Sequence, residues 1–166
     1  MTSDSDIQTA GPQPYRIFLV VVDESEEYKA ALRFACRRAE HTGGRVALLH
    51  VVEPTDFQHW MAVEETIREQ RRHEAEQLLQ RVAKEVNGLT GTMPALHLRE
   101  GQPREELLRL IEEEPSISIL VLGASSAGDS PGPLIQYLTG KGARRLRIPV
   151  TIVPGGLTIE EIDDLG

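Results

Sequence analysis

Residues able to do chemistry gather where apolar runs break into small or acidic ones. Ile119-Leu-Val-Leu-Gly-Ala-Ser-Ser-Ala-Gly128 ends in Gly123, Ser125 and Ser126, and Ile17-Phe-Leu-Val-Val-Val22 ends in Asp23. A run of Ile, Leu and Val that stops at Gly and Ser reads as a buried parallel strand delivering a backbone-rich loop at its carboxyl end. In open parallel sheets that end is where ligands sit. A following helix would add unpaired N–H groups and a positive dipole end, so a phosphate-bearing ligand is the first expectation. Asp23 either caps the helix behind it or holds a nucleoside.

Other constellations fail on spacing. A Walker loop between Gly132 and Lys141 would need Gly at 135 and Ser or Thr at 142, where Ile135 and Gly142 stand. Gly123-Ala-Ser-Ser-Ala127 misses the nucleophile elbow G-x-S-x-G at its last position. His41, His50, His59, His73 and His97 show no H-x-x-x-H, and Cys36 is the only cysteine, so no metal site is expected. His50, near a strand end, reads as a structural histidine, and Cys36 as a small buried residue. No catalytic residue is assigned. An enzyme, as a nucleotide hydrolase or transferase, would need Asp23 on a metal or water and Ser125, Ser126 and Lys141 on phosphates. Asp129, in a Pro/Gly loop, is the only other acidic candidate there.

The scaffold follows from the same alternation. The first 14 residues are polar and predict a disordered leader. Strand Ile17–Val22 is followed by Ser25 as N-cap, a helix with Ala31, Phe34, Ala35 and Ala39 at helical spacing, and a stop at Gly43-Gly44. Val46–Val52 is a second strand. A long helix runs from about Phe57 to Val86, with Trp60, Val63, Ile67, Ala75, Leu78, Val82 and Val86 near one face. Its charged middle, Arg68–Glu74, predicts a solvated face. Asn87-Gly88 and Gly91 break it. Ala95–Arg99 is an outer strand, and Pro103 opens a helix through Glu114. Leu134–Leu146 reads as helix weakened by Gly140 and Gly142, and Ile148–Val153 as the last strand. The acidic tail, 155–166, carries Leu157, Ile159, Ile162 and Leu165 at loose helical spacing; it docks on a neighbour or stays mobile.

Strands alternating with helices predict an α/β domain over residues 15–154, with right-handed crossovers and a parallel sheet. The 166 residues suit one domain, and 40% hydrophobic with 27% charged is ordinary for a globular protein. Eighteen Lys and Arg against 26 Asp and Glu leave a net charge of −8, which argues against a nucleic-acid or anionic membrane surface. Lys141–Arg147 is the one locally basic stretch, and it is short. One cysteine, no charged-then-apolar leader and no run long enough to span a bilayer predict a cytoplasmic location.

Four stretches in this order resemble the universal stress protein family. They are the first strand ending in Asp23 with Ser25 and an Ala-rich helix behind it; Leu49-His-Val-Val52; Arg99-Glu-Gly-Gln-Pro-Arg-Glu-Glu-Leu107; and Leu120-Val-Leu-Gly123 with Ile148-Pro-Val-Thr-Ile-Val153 after it. The resemblance covers most of Tyr15–Pro154. It implies a Rossmann-like open five-stranded sheet in order 3-2-1-4-5 with helices on both faces, and a homodimer through the last strand. It also implies that an adenine nucleotide such as ATP is bound by Asp23, Val51, Leu122, Gly123 and the following loop.

Nucleotide-binding members carry G-x2-G-x9-G-[ST] after the fourth strand. Here Gly123 matches, Ser126 stands at the second glycine, and Gln136-Tyr137 at the third position, with Gly140 and Lys141 one helical turn further on. A left-handed Ser126 would cost about 1–2 kcal/mol, weakening binding roughly five- to thirtyfold. The function implied is a regulatory or interaction module of the stress response, with a protein partner the sequence does not name.

Overall fold

The computed structural model describes residues 14–55 and 61–166. Five parallel strands form one sheet: β1 (Ile17–Val21), β2 (Arg45–Val52), β3 (Ala95–Glu100), β4 (Ile117–Ala124) and β5 (Val150–Pro154), in spatial order β3-β2-β1-β4-β5. The fold class and strand order are those expected. β1 lies at the centre because its run is apolar on both faces: Phe18 and Val20 face one core, Leu19 the other, and all three are buried.

Helices α1 (Glu27–Thr42), α2 (Met61–Thr90) and α5 (Ile159–Leu165) cover one face. On the other lie α3 (Pro103–Glu113) and α4 (Pro133–Thr139). Ala30, Ala31, Ala35 and Ala39 let α1 sit close over β1 and β4, and Gly43, at φ 66, ends it in the left-handed conformation.

Several local expectations are corrected. Ser25 does not cap α1; the N-cap is Glu26, without a side-chain bond, and Ser25 turns back to Asp23. Gly88 does not break α2, which continues to Thr90 and ends at Gly91, φ 72. Buried Val86 and half-buried Leu89 hold that last turn on the core, which outweighs the roughly 1 kcal/mol a helical glycine costs. The expected start of this helix at Phe57–Trp60 lies outside the described residues. Val63 is 56% exposed; the buried stripe begins at Ala75 and runs through Leu79, Val82, Ala83 and Val86.

Leu134–Leu146 is not one helix. α4 stops at Thr139 before Gly140, and a short 3-10 turn follows at Ala143–Arg145. β5 begins two residues later than its apolar run, since Pro149 cannot donate to the ladder. The tail forms α5, opened by a capping box in which Thr158 Oγ1 accepts from the Glu161 amide and Glu161 accepts from the Thr158 amide. It docks on α1. Ile162 is buried there, and Asp163 accepts paired bonds from Arg33 at 2.7 Å and further bonds from Arg37 at 2.9 and 3.2 Å.

Candidate functional site

β1 hands the chain to α1 on one face of the sheet, and β4 hands it to α4 on the other. The divergence opens a cleft of about 390 Å³ at the carboxyl ends of these two strands. Val21, Leu122, Leu134 and Ile135 line its apolar part, Tyr28 adds an aromatic ring, and Asp23, Ser25, Glu27, Gly123, Ser125 and Ser130 line its polar part.

Asp23 is exposed, and its Oδ1 accepts from the Ser25 amide at 2.9 Å and the Ser25 hydroxyl at 2.5 Å. This turn holds the carboxylate at the cleft instead of over the helix end. Across from it, Gly123 is where α1 meets β4. A Cβ at Gly123 would overlap the Glu27 carbonyl, and one at Gly155 would lie 3.0 Å from Glu27 Cγ. Gly123 in β4 and Gly155 in the turn just after β5 thus admit the first turn of α1, and they seat Glu27 between them.

Sequence reasoning missed Glu27. Its carboxyl is held below the ordinary carboxylate range, first by a backbone hydrogen bond at its own residue and then by the Ser125 hydroxyl, against a smaller opposing effect of burial. Ser25 contributes last. An acidic residue in the first turn of a helix was the visible signal, but it reads equally well as dipole compensation.

The loop from Ala124 to Pro133 is folded on itself. The Ser125 amide donates to Pro131 O at 3.0 Å, the Ala127 amide to Ser125 Oγ at 3.3 Å, and the Gly132 amide to Ser130 Oγ at 3.2 Å. Gly155 donates to Ala124 O at 2.8 Å. Pro133 occupies the first turn of α4, so the expected helix end offers no N–H at that position.

A sequence profile of the universal stress protein family matches residues 14–154. The chain belongs to this family. Its fold is similar to that of the universal stress protein UspA from Lactobacillus plantarum, at 19% identity and a TM-score of 0.67, over 86% of this chain and 99% of that one. A universal stress protein from Archaeoglobus fulgidus in complex with dAMP matches at 22% identity and a TM-score of 0.55, over 85% and 99%. One from Arabidopsis thaliana with AMP bound matches at 14% and 0.57, over 84% and 91%. None of the curated proteins compared matches the sequence.

Against the universal stress protein pattern, the structure divides the candidate residues. Asp23, Leu122, Gly123 and Ser125 line the cleft; Val51, Ser126, Gly140 and Lys141 are not among its lining residues. Val51 is half-buried against the α3 face. Ser126 is exposed and not left-handed: no described residue other than glycine has positive φ, and Gly128 (φ 79) and Gly132 (φ 117) make the loop's turns. The strain expected at Ser126 is therefore absent. Gly140 caps the far end of α4, and Lys141 lies beyond it, about 10 Å along the axis from the turn that lines the cleft.

The remaining candidates are structural. His50 Nδ1 lies 2.6 Å from Val22 O, joining the ends of β1 and β2. Cys36 is buried, and burial pushes its thiol up to about 12, so it carries no reactive thiolate. In the basic stretch, Arg145 bonds Glu105 and Tyr137, while Arg147 donates to the last carbonyls of α3. Among the described residues no group of three His, Cys, Asp or Glu is placed to hold a metal, and no helix is long and apolar enough to cross a membrane.

Proposed function

We propose that the chain is a regulatory binding module of the stress response that takes the adenosine portion of an adenine nucleotide in the cleft between β1 and β4. It works by binding, with no turnover. The observation that carries this reading is the cleft: about 390 Å³, apolar at Val21, Leu122 and Ile135, with hydroxyls at Ser25, Ser125 and Ser130 and a carboxylate at Asp23. That size and mixture suit a small ligand with an apolar ring and several hydroxyls. The dAMP and AMP complexes of relatives with the same fold support adenine as the ring.

In this reading Asp23 accepts hydrogen bonds from the ribose, and Leu122, Gly123 and Ser125 border the nucleoside. A ligand there touches the segments after both β1 and β4, so its presence biases how they are held. A partner protein reads that difference. Two copies pair through β5, the outermost strand, where Ile152 is 41% exposed.

The test is a calorimetric titration with AMP, after checking the purified protein for carried-over nucleotide. One site per chain is expected, weakened about tenfold or more in Asp23→Ala. No heat and no carried-over nucleotide would overturn the reading. Repeated turnover of ATP, lost in Asp23→Ala, would replace it with an enzyme.

A further inference from the structure

Building on that reading, we infer that Glu27 sets the ligand class of the cleft. Adenosine enters freely, and each phosphate added to it is disfavoured, a polyphosphate chain most of all, unless a divalent cation accompanies it.

Two independent features lead there. The first is charge. Glu27 is held at its root, its backbone against Gly123 and its Cγ toward Gly155, and the Ser125 hydroxyl bonds its carboxyl at the cleft. With Asp23 it puts two carboxylates on the lining, and no Lys or Arg is among the described lining residues. Each added phosphate brings negative charge toward these groups, and like charges at this range repel.

The second is donors. A phosphate cradle works through backbone N–H groups left free to face the anion. Here three of the loop's amides, those of Ser125, Ala127 and Gly132, are bonded within the loop and so are withdrawn from an anion. Lys141, the cation expected on phosphates, stands beyond the far end of α4. A neutral nucleoside carries no phosphate charge to neutralise, and a magnesium ion would supply the missing positive charge for a longer chain.

The experiment measures affinities for adenosine, AMP and ATP, in chelator and again with magnesium, on the wild type and Glu27→Gln. The variant keeps the length and shape of the side chain and removes the charge. In chelator the wild type should bind ATP about tenfold or more weaker than adenosine. The ratio of ATP to adenosine affinity should rise about fivefold or more in Glu27→Gln, and magnesium should raise it in the wild type. ATP binding as tightly as adenosine in chelator, or a ratio unmoved by Glu27→Gln, would overturn the inference while leaving the nucleoside reading intact. Failure of both adenosine and AMP to bind would overturn that reading and this inference with it.

Discussion

A methyl group at position 123 would land on the Glu27 carbonyl, and backbone, unlike a side-chain tip, has no alternative rotamer to escape to. Gly123→Ala should therefore destabilise the protein by about 2–3 kcal/mol, the upper part of the usual overpacking range, and misplace Glu27 as well. Gly128→Ala is the contrast. Nothing lies within 4 Å of a Cβ there, and the cost is that of a left-handed residue at φ 79, about 1–2 kcal/mol. Denaturant midpoints of the two variants measure the difference; equal losses would mean that α1 yields to Gly123→Ala. At this scale the site was half legible. Asp23 and Gly123 could be found because sheet-edge logic points to the residue where an apolar run stops. Glu27 could not, because its place depends on how closely a helix approaches a strand nearly a hundred residues away.

Elements were read where their signal was local. Four of the five strands announced themselves as apolar runs, the outer Ala95–Arg99 only by a weaker alternation, and Gly43 and Pro103 punctuated helices as their backbone chemistry requires. Gly88 misled because a local helix breaker was overridden by packing on the core. α5 shows the opposite fault: Thr158 and Glu161 are a capping box in plain sequence, but what the helix docks on is a tertiary fact. Its attachment is both apolar and ionic. Ile162→Ala should cost about 2–3 kcal/mol, read from thermal or denaturant unfolding. The carboxyl of Asp163 is held well below its ordinary 3.8 by hydrogen bonds from Arg33 and then Arg37. Its contribution is thus present above pH 3.8 and lost as acid protonates it. Asp163→Asn should be less stable than the wild type at neutral pH, and the two should converge in strong acid. A constant gap across that range would rule the ion pair out as the cause.

For the molecule as a whole, the sheet has two unequal edges. β3 is flanked by α2 and pairs along six residues of β2, whereas β5 is short, follows Pro149 and ends at Pro154. Prolines at both ends limit how far such an edge can extend a neighbour's sheet, while Ile152 in its middle leaves one apolar contact for a matching strand. Sedimentation of the wild type should show a dimer, and Ile152→Glu should give a folded monomer. A wild type that stays monomeric at high concentration, or a variant that stays dimeric, would reassign the interface.

The long helix α2 has a different kind of inequality along its length. From Ala75 onward it is pinned to the core, but between Val63 and Glu74 only Ile67 is even partly covered, and the outer turns are tied down through Arg68 to Glu100 and Arg71 to Glu53 O. Helix propensity and a few exposed ion pairs supply tenths of a kcal/mol each, far below what unfolding the core demands. Amide protons on one continuous helix should therefore report two separate opening energies, and proteases that need a locally unwound segment have a place to begin that leaves the cleft between β1 and β4 standing.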